Sequence, residues 1–309
     1  MEPRLQRRVQ RYGWDLAASA YESLWGAQLA PAQAHVMACA GLMPGEHVVD
    51  VACGTGTATL QAAARVLPGG DVVGVDLSGR MVEAARARAL QQHCGGVRFE
   101  RMDAERLALP DDTFDVALCV LGFMYVPHPE RAVAEMRRVL RQGGRVILAV
   151  WGERAQCGWA ELFPIVDAEI TSEVCPLFFR LGQGDALAEL CVAAGLDVIS
   201  QIRITTTLRF NCDDEACDAA FVGGPVALAW SRLDSAARRR VRSRYLESIA
   251  RWRRDHGFQI PAQFVVVAAA ADARKPMDSV TALHEMRPTA TGHESPLATE
   301  NSDRGSSDC

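Results

Sequence analysis

A chain of 309 residues, 49% apolar and 23% charged, can bury one large core or two small ones. Its net charge of −5 argues against a general attraction to nucleic acid, and no run approaches the ~20 apolar residues that span a bilayer. With no apolar leader after Met1-Glu2-Pro3-Arg4 and no Cys-x-x-Cys among ten cysteines, the expectation is a cytoplasmic protein without a metal site, its thiols mostly small buried hydrophobes.

In chain order, residues 1–13 are Arg-rich and predict a frayed helix. Residues 14–39 read as helical, with Leu16, Tyr21, Leu24 and Trp25 as packing positions; the second half starts near Pro31, which suits a first helical turn. Met43-Pro44-Gly45-Glu46 is a turn into a buried strand at 48–52, followed by a helix at 57–66. Strands at 72–76, 97–102 and 113–119 then alternate with helices, the first of them at 78–94. Residues 139–148 hold a helix end, a glycine turn and a fifth strand, so 47–151 implies a parallel sheet with right-handed crossovers. The pattern loosens over 152–182, an irregular stretch with a short helix. A helix at 185–194 stops at Gly195, a sixth strand lies within 196–210, a helical insertion runs 213–255, and a seventh strand covers 260–270. From 272 to 309 the Ser, Thr, Pro and acid content predicts a disordered tail.

The organising stretch is Val48-Val49-Asp50-Val51-Ala52-Cys53-Gly54-Thr55-Gly56-Thr57. A strand that ends in a glycine turn and opens a helix is a nucleotide-type cradle: Gly54 and Gly56 allow the sharp turn and a close backbone approach. Asp76 ends the second strand about 20 residues on, where an acid accepts both hydroxyls of a ribose. It could instead cap the helix that follows, but Ser78 already supplies a cap. Asp103 follows the third strand in Arg-Met-Asp-Ala-Glu.

This ordered set of motifs resembles the class I S-adenosylmethionine-dependent methyltransferases, and within them the small-molecule subgroup that includes the ubiquinone and menaquinone biosynthesis methyltransferases. The resemblance spans roughly residues 14–270 and departs at Ala52, where the family has the first glycine of its motif. It implies an α/β, doubly wound, Rossmann-like sheet of seven strands in the order 3-2-1-4-5-7-6, strand 7 antiparallel, with helices on both faces. The domain would span 1–271, with an N-terminal helical cap at 1–40 and a helical insertion or lid at 211–258. S-adenosyl-L-methionine is the implied cofactor. Asp50 would lie near its amino group, and Ala52, Cys53, Gly54 and Gly56 along its methionine and ribose portion. Leu77 and Met81 would pack on the adenine, or serve as plain core, while Asp103 would accept from the adenine amine beside Ala104 and Glu105. Cys119 ends the fourth strand and offers a backbone contact; flanked by Leu118 and Val120, its thiol has no activating charge. Tyr21 and Trp25 could fold over the cofactor or simply pack.

The acceptor would sit over strands four and five, reached by 121–128, 152–182 and 213–255. These segments carry Phe123, Met124, Tyr125, Trp159, Phe163, Phe178, Phe179, Phe221 and Trp230, and predict either a lid sealed onto the core or an apolar pocket for an aromatic or polyketide-like small molecule. No catalytic base stands out: His128, between Pro127 and Pro129, is the best placed of seven histidines, but a loop histidine between two prolines reads more readily as structural. The arginines of 238–254 lie on a helix with a buried stripe of Val241, Tyr245, Ile249 and Trp252, a solvated basic face rather than a nucleic-acid site. A homodimer is left open, as is whether oxygen, nitrogen or carbon is methylated. The competing readings are a nicotinamide-dependent oxidoreductase, disfavoured because Thr59 replaces the third fingerprint glycine, and a non-catalytic or RNA-directed protein on the same fold.

Overall fold

The computed structural model describes residues 2–170, 178–255 and 257–271. The first helix, α1 (Pro3–Ala40), is continuous, so the expected fraying at 1–13 and the fresh start at Pro31 are both corrected. Glu2 caps it by accepting from the Arg4 and Leu5 amides. Pro31 removes one intrahelical bond, the one to the carbonyl of Ala27, and Ala27 faces solvent, where water can replace the partner. Of the expected packing positions, Trp25 is buried and Tyr21 and Leu24 are half-buried, but Leu16 is exposed.

Strands and helices then alternate: β1 (His47–Val51), α2 (Thr57–Val66), β2 (Asp71–Asp76), α3 (Gly79–Gln91), β3 (Val97–Arg101), β4 (Phe114–Val120), α4 (Pro129–Val139) and β5 (Leu140–Trp151). β1, β2, β3, β4 and β5 pair in parallel. Val48, Val49 and Val51 are fully buried, as a strand covered on both faces requires. The second half holds α5 (Leu162–Asp167), α6 (Ala186–Ala193), β6 (Asp197–Phe210), α7 (Asp213–Phe221), α8 (Ala227–Arg232), α9 (Ser235–Ile249), β7 (Arg253–Arg254) and β8 (Gly257–Ala270).

The sheet order is β3-β2-β1-β4-β5-β8-β6, with β8 antiparallel to both neighbours. This is the implied topology, with β8 in the place of the expected seventh strand; the added β7 is a two-residue strip on β8. The basic helix α9 buries Val241, Tyr245 and Ile249, and its arginines pair outward, Arg240 with Glu169 at 2.6 Å and Arg242 with Asp214. The expected tail at 272–309 lies outside the described residues. No described helix is long and apolar enough to cross a membrane.

Candidate active site

The carboxyl ends of β1, β2 and β4 meet under α1 around a cavity open on one side. A smaller pocket shares the walls Tyr21, Ala52, Gly54 and Leu121 with it.

The glycine turn is tied to the end of β2. The Gly54 amide donates to Asp76 Oδ2 at 2.9 Å and the Ser78 amide to Asp76 Oδ1 at 2.8 Å. Each carboxylate oxygen keeps a lone pair for a further donor. Ser78 caps α3 by accepting from the Met81 amide, so Asp76 is free of that duty. Burial raises the Asp76 pKa to about 6.

Asp50, inside β1, is almost fully buried. Its Oδ2 accepts from the Thr59 hydroxyl at 2.6 Å, and its Oδ1 has no partner among the described residues. Burial pushes its pKa up to about 7; the Thr59 bond opposes this and Asp76 adds to it. A buried carboxylate with an unmet oxygen is a site waiting for a donor. Asp50 and Cys53 line the small pocket, while Asp76, Leu77, Met81, Asp103 and Ala104 line the large one. Tyr21 reaches both, its phenol pushed well upward by burial.

The two glycines divide the work differently from the expectation. Gly54, at φ +54°, faces open space, with Tyr21 the nearest side chain at 3.9 Å. Gly56 faces inward: a Cβ there would sit 2.9 Å from Phe99 and 3.0 Å from Ala85, so it serves close packing of α2 and does not line the cavity. Ala52 adopts φ +58°, a left-handed conformation that costs a residue with a Cβ ~1 kcal/mol. Its methyl fills the space a side chain at Gly122 would need. Leu121 beside it is also left-handed, at φ +63°.

Two further expected contacts are corrected. Glu105 is drawn away from the cavity by Arg7, and accepts from the His128 amide at 3.1 Å. Cys119 is buried behind Gly122 and reaches neither pocket; burial keeps it a thiol. Asp103 lies on the wall but has Arg7 Nε 3.0 Å from one oxygen and the Glu105 amide on the other. His128 pairs with Glu130 and does not line the cavity.

On the acceptor side, Tyr125 and Trp159 line the cavity as expected; Phe123, Met124, Phe163, Phe178, Phe179, Phe221 and Trp230 do not. Phe163, Phe178 and Phe179 pack behind Trp159, and Phe221 stacks on Trp230 at 4.4 Å. The wall is completed instead by Trp14, Trp25 and Trp151, with Trp14 edge-on to Tyr125 at 5.0 Å and Trp151 to Trp159 at 4.8 Å. Arg7, Gln10, Trp14, Tyr21 and Trp25 recur on one face of α1; Tyr21 and Trp25 are expected there from the resemblance, and helical spacing is the sequence signal that adds Arg7, Gln10 and Trp14. No histidine, lysine, cysteine or glutamate is among the described residues of the cavity wall.

Residues 48–144 match the methyltransferase domain family. Among curated proteins, the ubiquinone/menaquinone biosynthesis C-methyltransferase UbiE of Ectopseudomonas mendocina is 41% identical over 109 residues, 35% of this chain and 43% of that protein. A protein of transposon TN4556 from Streptomyces fradiae is 35% identical over 181 residues, 57% of this chain and 49% of its own length. The chain thus spans less than half the length of these relatives. Among solved structures, the YcgJ protein of Bacillus subtilis superposes with a TM-score of 0.56 at 19% identity, covering 78% of this chain and 98% of that one, a likeness of fold. With the motifs, the sheet order and the family match in agreement, this chain carries a class I methyltransferase domain of the S-adenosylmethionine-dependent type, similar to that of the ubiquinone/menaquinone methyltransferases.

Proposed function

We propose that this protein transfers a methyl group from S-adenosylmethionine to a small, mostly apolar, aromatic acceptor. The observation that carries the reading is the division of one cavity into a half walled by acids and a half walled by aromatic rings. The residues present fit the cofactor: Asp50 holds an unmet, buried carboxylate oxygen for an ammonium, and Asp76 has lone pairs directed to the cavity for two ribose hydroxyls. Leu77 and Met81 supply an apolar face for a flat base, with Asp103 and Ala104 at its edge.

When bound, S-adenosylmethionine supplies an electrophilic methyl group on a sulfonium. The chain's share is then alignment and the exclusion of water. Trp14, Trp25, Trp151 and Trp159 offer rigid flat walls that hold an aromatic ring at little cost in side-chain entropy. With Tyr125 but no histidine, lysine, cysteine or carboxylate among the described residues of the aromatic half, the acceptor arrives with a nucleophilic atom that attacks without prior removal of a proton by one of those groups. UbiE is a C-methyltransferase by name, and an electron-rich ring carbon is a nucleophile of this kind: its bond to the methyl carbon would form as the sulfonium C–S bond breaks, and the ring proton would leave afterwards to solvent at the open side of the cavity.

The test is to combine purified protein, methyl-labelled S-adenosylmethionine and a metabolite extract, and to identify labelled products by mass spectrometry. Label in a small aromatic compound is expected. Label recovered in RNA or another highly charged acceptor would overturn the apolar-acceptor reading.

A further inference from the structure

The small pocket is not explained by the acids and glycines alone. Its far wall is α1, which contributes Gln33 opposite Asp50, Thr55 and Thr57. Gln33 is 9% exposed, and its side-chain amide makes no hydrogen bond to any described residue. Neither amide atom is among the buried polar atoms without a partner, so the amide is accessible at the pocket, where a ligand can reach it. Asp50 Oδ1, the unmet acceptor, is on the same pocket. One pocket is therefore lined by an unmet anionic acceptor and by an accessible amide that has no partner among the described residues.

We infer that Gln33 binds the carboxylate of the amino-acid end of S-adenosylmethionine, donating from Nε2, while Asp50 takes the ammonium. This rests on the methyltransferase reading above and adds α1 to the binding site at the end remote from the adenine. A zwitterion needs one group of each kind, which this pair supplies. The first turn of α2 reinforces it: Thr57 and Ala58 line the pocket, and the amides of a helix start favour an anion. Glu22 also reaches that helix start, but its carboxylate accepts from the Thr55 and Thr57 hydroxyls and is paired with Arg88 at 2.9 Å, so its charge is largely offset.

The test compares two nucleosides on the full chain by calorimetry: S-adenosylhomocysteine, which has the amino-acid end, and 5′-methylthioadenosine, which lacks it. Gln33→Ala is expected to weaken S-adenosylhomocysteine about tenfold and leave 5′-methylthioadenosine unchanged. Gln33→Glu, which sets carboxylate against carboxylate, is expected to weaken S-adenosylhomocysteine further still. Equal loss for both nucleosides would show a merely structural role and overturn the assignment. So would native affinity in Gln33→Ala, or tighter binding in Gln33→Glu, which would put Gln33 beside the ammonium. If the native protein bound neither nucleoside, the methyltransferase reading itself would fall, a result distinct from these.

Discussion

Asp50 makes cofactor binding sensitive to pH near neutrality. In the ligand-free protein its pKa is raised to about 7 from an ordinary 3.8, because burial penalises the charged form more than Thr59 stabilises it. The neighbouring groups are Asp76, which pushes in the same direction, and Cys53, which burial keeps a neutral thiol. An ammonium beside Asp50 Oδ1 favours the carboxylate, so ligand binds the ionised form and expels a proton from the rest. The ionised fraction is about nine-tenths at pH 8, half at pH 7 and one-tenth at pH 6. Affinity for S-adenosylhomocysteine should therefore fall about tenfold from pH 8 to pH 6, about 1.4 kcal/mol. The same shift acts on the empty protein with the opposite sign. A carboxyl whose folded pKa lies above its unfolded value stabilises the fold at low pH and loses that contribution as pH rises through about 7. The ligand-free melting temperature should thus rise by a few degrees from pH 8 to pH 6. Calorimetry and thermal melts at pH 6, 7 and 8, on native protein and Asp50→Asn, check both. A residual slope below pH 7 in the variant belongs to Asp76. Equal affinity at pH 6 and 8 in the native protein, or the full tenfold slope surviving in Asp50→Asn, would refute the reasoning.

Asp76→Ala should weaken S-adenosylhomocysteine 10- to 100-fold, about 1.5–3 kcal/mol. It should also lower the melting temperature, since the Gly54 and Ser78 amides lose their acceptor; a lower melting temperature with unchanged affinity would reduce Asp76 to a brace for the loop. Gly122→Ala should destabilise by about 1–3 kcal/mol, because the new methyl meets that of Ala52 and lies 2.9 Å from Cys119 Sγ. Adding Ala52→Gly should restore part of the loss in chemical denaturation, and strict additivity of the two changes would show that the methyl at 52 is not the obstacle. Tyr125→Ala should lower acceptor turnover with cofactor affinity near native, whereas Phe123→Ala, at a buried position off the cavity, should cost about 3–5 kcal/mol of stability; the reverse pattern would misplace the acceptor wall.

The start of the sheet was legible because β1 and β2 announce themselves as short valine-rich runs that lead into a glycine turn or an acid, as at Val72–Val75 and Asp76. Its order came from the resemblance rather than from periodicity. The acids were legible for the same reason: a strand terminus fixes where the next side chain points. The aromatic wall was harder. Phe123 and Tyr125 are two residues apart in one short turn, yet one is in the core and the other on the cavity, a choice made by a single turn of backbone. Gly56 and Gly54 look alike in sequence, and only the position of Phe99, brought alongside by β3, separates packing from access. Arg7 meets Glu105 across 98 positions of chain, and Gln33 faces Asp50 from another element altogether; helical spacing marks a face but not what it covers.

Helix α1 has 38 residues and so reaches about 57 Å from end to end. Its two ends are held by different kinds of force. The C-terminal end is seated by Ala32, Val36 and Ala40, all without exposure, and Arg145 grips the Ala40 and Gly41 carbonyls while pairing with Glu46. The N-terminal part buries Ala17 and Ala18 as well, but its first turns are also tied over the cavity by charges: Arg7 on half-buried Asp103 and on buried Glu105, and Asp15 on the Ser78 hydroxyl. Dissolved salt weakens the second kind and spares the first. Residence time of a bound nucleoside should therefore shorten with ionic strength while the melting temperature barely moves, and the adenine end, beneath the first turns to lift, should be the end that leaves first.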